Sequence, residues 1–117
     1  MPIRNVLASV AVKDLNPSVK WYESLLNKRS SRPMPEVAEW SFEGGGGLQV
    51  YQLPERAGAG SFTLAVTDLD EQVRHVAGLN IDTRERTSNQ RVKTLMITDP
   101  DGNHIAFAEA IDPSLVH

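Results

Sequence analysis

The chain opens on a period of two. Val6, Ala8, Val10 and Val12 alternate with Leu7, Ser9, Ala11 and Lys13, the pattern of a strand packed on one face. The period then lengthens, with Val19, Tyr22, Leu25 and Leu26 on one helical stripe. Between the two, Asp14-Leu15-Asn16-Pro17 supplies an N-cap residue and a proline suited to a first helical turn. The same succession returns 54 residues later. Phe62, Leu64 and Val66 alternate with Ser61, Thr63 and Ala65, the acidic run Asp68-Leu69-Asp70-Glu71 suits a helix N-terminus, and Leu69, Val73, Val76 and Leu79 form the second stripe. Aligned without gaps, residues 9–25 and 63–79 share six identities: Ala11/Ala65, Val12/Val66, Asp14/Asp68, Leu15/Leu69, Val19/Val73 and Leu25/Leu79. Ordinary residue usage gives about one by chance, so the chain reads as an internal duplication.

Three strand-like runs follow each helix. In the first half they cover about 28–32, 37–42 and 48–53, punctuated by Pro33, Pro35 and the run Gly44–Gly47. In the second they cover about 82–86, 91–98 and 104–110, with the turn Asp99-Pro100-Asp101-Gly102-Asn103 before the last. The glycine run precedes a strand, whereas a phosphate-binding loop needs a following helix, so it reads as a hairpin turn. The expected organisation is a single domain over 1–117: module 1 at about 1–54, a linker at about 55–60 (within PERAGAG) and module 2 at about 61–112, each module βαβββ.

Composition narrows the chemistry. The 117 residues contain no cysteine, which excludes disulfides, thiolate nucleophiles and cysteine-bound metal. A net charge of -3 argues against nucleic acid as a main partner, and Arg84, Arg86, Arg91 and Lys93 are the one basic concentration. No apolar run is long enough for a bilayer span. The start MPIRNVLASVAV lacks a secretory leader's sustained apolar stretch, which points to the cytoplasm.

SVAVKDLNPSVKWYESLL, TLAVTDLDEQV and DPDGNHIAFAEA, in that order, resemble the glyoxalase/bleomycin-resistance/dioxygenase (vicinal oxygen chelate) superfamily. The resemblance covers nearly the whole chain. It implies an α+β fold of two βαβββ modules whose eight strands form an incomplete barrel around an open cavity, and homodimers in which neighbouring chains complete the clefts. It also implies four metal-ligand positions, falling on Leu7, Tyr51, Ser61 and Ala106. Leu7 and Ala106 have no lone pair to offer, serine is a poor neutral ligand, and tyrosine is not a usual one here. Gln49 and His104 lie two residues from expected positions, but that pair lacks a carboxylate and a third ligand. His75 lies off its helix's packing stripe, and His117 is the last residue. No metal or other cofactor is expected.

The expected ligand-contacting residues are Trp40, Phe42, Gln49, Tyr51, Ser61, Thr63, Met96 and His104, a mixture of flat apolar surface and scattered hydrogen-bonding groups. Glu39 and Glu43 flank Trp40, and the facing of that strand stays open. The reading is a metal-free protein that binds a small planar or aromatic molecule in a dimeric cleft. The alternative is an enzyme, either a metal-dependent lyase, isomerase or dioxygenase of the same superfamily or a metal-free one using His104 as acid or base.

Overall fold

The structure, a computed structural model, describes residues 2–111; His117 and the end of the expected second module at Asp112 lie outside them. The chain divides into two compact units, Met1–Gly60 with Pro100–Asn103 and Ser61–Asp99 with His104–His117. The division falls at the end of the PERAGAG segment, and the hairpin turn before the last strand is counted with the first unit.

The first unit contains β1 (Leu7–Val12), α1 (Leu15–Leu26), β2 (Ser31–Met34), β3 (Val37–Ser41) and β4 (Gly47–Gln52), with strand order β1-β4-β3-β2. The second contains β5 (Ser61–Ala65), α2 (Leu69–Gly78), β6 (Arg86–Ser88), β7 (Val92–Thr98) and β8 (His104–Ala110), in the corresponding order β5-β8-β7-β6. In each, the first strand runs parallel to the last and the remaining pairs are antiparallel. The repeat seen in the sequence is thus a repeat of topology. The fold is α+β, with two four-stranded open sheets.

Each sheet packs one face on its helix. In the first unit Val10, Val12, Ala38, Trp40, Leu48 and Val50 are buried with Leu15, Val19, Tyr22 and Leu25 of α1. The Tyr22 and Trp40 rings lie 6.0 Å apart, and the Trp40 indole donates to Lys28 O at 2.9 Å. In the second unit Phe62, Leu95, Ile97, Ile105 and Phe107 are buried with Leu69, Val73 and Val76.

The two helices start alike at one point and differently at another. Asp68 accepts from the N–H of Glu71 at 3.1 Å, the expected cap. Asp14 makes no such bond, because the matching residue is Pro17, which has no N–H to donate. Both helices also receive an acceptor from the last strand of their unit: Leu15 N–H donates to Gln52 Oε1 at 2.9 Å and Leu69 N–H to Glu109 Oε1 at 2.7 Å.

β2 and β6 begin later than the hydrophobic pattern suggests. After α1, Asn27 takes a left-handed conformation (φ 51°) and the Glu23 carboxylate accepts from both the backbone N–H and the hydroxyl of Ser30, at 2.9 and 3.0 Å. These bonds hold residues 27–30 off the ladder, and they pull the Glu23 carboxyl below its ordinary pKa. β2 then includes Pro33, which an edge strand tolerates. Before β6, Asp82 accepts from the backbone N–H of Arg84 at 2.9 Å and pairs with its guanidinium, again keeping the segment out of the sheet. The four-glycine run is a hairpin turn, closed by Phe42 N–H to Gly46 O at 2.9 Å and Gly45 N–H to Phe42 O at 3.0 Å.

The turn Pro100–Asn103 lies along the free edge of β1. Val12 O accepts from Leu53 N–H at 3.0 Å on the β4 side, so by strand alternation the backbone groups of Ala11 and Lys13 point off the edge. Asn103, fully buried, donates from Nδ2 to Ala11 O at 2.9 Å and accepts at Oδ1 from Gly60 N–H at 2.9 Å. Asp101 Oδ2 accepts from Lys13 N–H at 3.1 Å. Side chains here do what a neighbouring strand's backbone would do. The approach is close enough that Gly58 (φ +89°) has no room for a Cβ, which would stand 2.3 Å from Asp101 O.

Candidate functional site

The first sheet turns one face away from α1, and strand register fixes which side chains lie there. Ser9 of β1, Gln49 of β4 and Glu39 of β3 are direct neighbours in one row, with Ala11, Tyr51 and Val37 in the next. Over these rows is a cavity of ≈ 460 Å³. Ser9, Glu39, Gln49, Val37 and Tyr51 line its floor; Pro33, Met34 and Glu36 of the β2–β3 hairpin and Gln52 form its rim. Gln52 N–H donates to Glu36 O at 2.9 Å and ties that hairpin to the end of β4.

The polar row is internally bonded. Ser9 Oγ donates to Gln49 Oε1 at 3.2 Å, and Gln49 Nε2 donates to Glu39 Oε2 at 3.0 Å. A carboxylate only accepts, so Glu39 dictates which way the Gln49 amide faces, and the amide oxygen is thereby turned toward the serine hydroxyl. Tyr51 and Met34 add a flat ring and an adaptable thioether on the apolar side; Met34 is 53% exposed.

Of the eight residues expected at a ligand, Gln49 and Tyr51 line this cavity. Trp40 and Phe42 do not. Trp40 is 1% exposed on the helix-facing side, because β3 alternates Ala38 and Trp40 inward with Glu39 and Ser41 on the opposite face. Phe42, half-buried at the β3–β4 turn, lies under the Lys28 ammonium, 5.8 Å from its ring centre, while that ammonium also donates to Ser41 O. The other four share one face of the second sheet, in two rows: Ser61, His104 and Thr98, then Thr63, Ala106 and Met96. His104 is exposed, and its cross-strand neighbours are hydroxyl residues. The residues not anticipated were Ser9, Pro33, Met34, Glu36, Val37, Gln52 and, left open, Glu39. The signal for Glu39 was present in the alternation Ala38-Glu39-Trp40-Ser41.

Register also corrects one of the four metal-ligand positions. Ser9 and Thr63 are counterparts in the repeat; Ser9 faces Gln49 and Thr63 faces Ala106. The counterpart of Ala106 is therefore Gln49, and Tyr51 corresponds to Ala108. The spacing slips because the stretch from helix to final strand is three residues longer in the second half: Leu15 and Leu69 are 54 apart, Gln52 and Glu109 57. The donor set Leu7, Gln49, Ser61 and Ala106 does not fit a divalent metal, since two members carry no donor atom and none carries a charge. Among the described residues no three His, Cys, Asp or Glu side chains gather into a metal-binding group.

Electrostatics elsewhere are modest. Asp82 is held down to about 2 by its hydrogen bonds and charge pairing with Arg84, whose own pKa rises in return. Part of the basic cluster is thereby paired: Arg84 with Asp82 at 2.9 Å and Lys93 with Glu109 at 3.9 Å. No helix among the described residues is long and apolar enough to cross a membrane.

Two βαβββ units of the same strand order, each an open four-stranded sheet with a helix on one face, define a class. The profile of the Glyoxalase/Bleomycin resistance protein/Dioxygenase superfamily matches residues 5–107, and the chain belongs to that superfamily. Among solved structures, the glyoxalase/bleomycin resistance protein from Catenulispora acidiphila DSM 44928 is similar with a TM-score of 0.82 and 33% identity, over 92% of this chain and 98% of that one. TnmS3, an antibiotic binding protein from Streptomyces sp. CB03234, has a TM-score of 0.80 at 20% identity, covering 94% and 98%. A lactoylglutathione lyase from Agrobacterium tumefaciens has a TM-score of 0.75 at 16% identity, covering 92% and 94%. The last two likenesses are of fold alone. No curated protein matches the chain.

Proposed function

We propose that this protein binds a small planar or aromatic molecule on the open face of its first sheet and carries out no metal-dependent chemistry on it. The observation that carries this reading is the cavity of ≈ 460 Å³ in which the Ser9–Gln49–Glu39 row and Tyr51 stand beside Val37 and Met34. Its size suits a drug-sized or smaller ligand, and apolar walls with a few fixed polar groups are the ordinary make-up of such sites. Ser61, Thr63, Met96 and His104, on one face of the second sheet, are proposed as a further ligand-contacting surface. The fold shared with an antibiotic binding protein is in keeping with a binding role. A homodimer belongs to this reading, supported by the exposed Val6 and Leu7 at the edge strand; so does a cytoplasmic setting, which suits a chain without cysteine.

The test is a thermal-shift screen with planar aromatic compounds, repeated on Tyr51→Ala. A ligand at ten times its Kd stabilises by about 1.4 kcal/mol, roughly 5 °C for a chain of this size. Hits that raise the midpoint of the parent and lose the effect in Tyr51→Ala support the reading. A silent screen, or one metal ion per chain found by elemental analysis, overturns it.

A further inference from the structure

The cavity is charged on one side only. Glu36 and Glu39 both line it, and among the described residues neither takes part in an ion pair. The nearest cation of the same hairpin, Arg32, is committed elsewhere: its Nη1 donates to Pro35 O at 3.2 Å and its Nη2 to Asn16 Oδ1 at 3.4 Å, toward α1. Among the described residues no lysine, arginine or histidine lines the cavity. Glu39 spends one acceptor site on the Gln49 amide and keeps its other oxygen for a ligand. Glu36 is exposed, its backbone carbonyl anchored to Gln52, so its carboxylate stands at the mouth.

We infer that the ligand of this site is an organic cation, a planar or aromatic body bearing a protonated amine or amidinium group. The inference rests on the binding reading above and specifies its ligand class. A cation meets two carboxylates that no described residue pairs with, and its N–H groups find charge-assisted acceptors. Tyr51 also lines the cavity, and an aromatic ring attracts a cation as well as another ring. An anion gains none of this and is repelled by both glutamates. Beyond the bonds within the row, Glu39, Ser9 Oγ and Gln49 Oε1 keep acceptor sites against one remaining Gln49 N–H, so the row is weighted toward acceptors and suits a ligand that donates.

Three matched probes separate the possibilities: 1-naphthylmethylamine, 1-naphthylmethanol and 1-naphthylacetate, which share a ring and differ in charge. Each is titrated into the full chain labelled with ¹⁵N, and Kd is read from the amide shifts of Ser9, Gln49 and Tyr51. The amine is expected to bind about tenfold more tightly than the alcohol, the scale of one charge-assisted hydrogen bond, and the acetate not at all. Glu39→Gln preserves an acceptor for the Gln49 amide, and with Glu36→Gln it should abolish the amine's advantage, so that in the double variant the amine and the alcohol bind alike. Raised salt should weaken the amine alone. If the alcohol shifts these amides and the amine has no advantage, or the acetate binds best, the cation inference fails while the binding site stands. If none of the three shifts them, the binding reading fails with it.

Discussion

Replacing Asn103 with alanine removes two hydrogen bonds at once and leaves their partners behind. Ala11 is buried and its carbonyl faces off the β1 edge, where Asn103 Nδ2 is its partner at 2.9 Å; Gly60 N–H loses Oδ1 at the same distance. Stranding a buried polar group costs about 1–3 kcal/mol. Gly60 is only half-buried and can recover some water, so the pair amounts to about 2–4 kcal/mol. On a chain of this length that lowers the unfolding midpoint by roughly 10–15 °C. Thermal and urea unfolding followed by circular dichroism measure it. Asn103→Asp sharpens the case. Its carboxylate can still accept from Gly60 but is set against the Ala11 carbonyl oxygen in a buried place, so the folded-state pKa rises above the unfolded value of about 3.9. A group shifted upward loses stability as pH rises through the folded pKa, so the deficit of this variant against the parent should be larger at pH 7 than at pH 4. An Asn103→Ala protein within about 0.5 kcal/mol of the parent, or an Asn103→Asp deficit equal at both pH values, would refute the reasoning.

Three further outcomes follow from the same geometry. Gly58→Ala forces a Cβ to 2.3 Å from Asp101 O at a positive φ and should cost more than about 1 kcal/mol in urea unfolding, whereas Gly44→Ala, in open space, should cost less. Trp40→Ala should lose about 3–5 kcal/mol and Trp40→Phe about 1–2 kcal/mol, yet Trp40→Phe should leave Kd for any ligand found in the thermal-shift screen unchanged, because the indole faces α1 and not the cavity. The Asp82 carboxyl should titrate near 2 by NMR and move toward its ordinary value in high salt or in Arg84→Gln; its folded pKa is depressed, so whatever it contributes is present above about pH 4 and fades as pH falls toward 2.

The order of elements and the duplication were legible because they rest on period and on turn residues, both local properties. What stayed hidden was decided by bonds between distant residues. Nothing near Asn16 announces that Gln52 will accept from Leu15 N–H, or that Pro17 deprives Asp14 of its capping partner until both halves are compared. The starts of β2 and β6 were displaced by Glu23 holding Ser30 and Asp82 holding Arg84, side-chain bonds that compete with the ladder. Of the eight expected contact residues, two line the candidate cavity. Gln49 and Tyr51 follow from the position of β4, but Trp40 drew the eye as an aromatic and belongs to the core, while the neighbour of lower profile, Glu39, faces the cavity. Alternation along β3 contained that answer, and the weight given to aromatic surface obscured it.

The four residues Pro100–Asn103 belong by contact to the unit built from the other half of the chain. A gene cut between Gly60 and Ser61 would therefore not yield two finished products. The upstream peptide would carry a bare β1 edge, with Ala11 O and Lys13 N–H turned to solvent, and the downstream peptide would carry the missing plug on a hairpin with nowhere to insert. Such halves are built to be reunited, and co-expression of the two pieces should restore a fold that neither reaches alone.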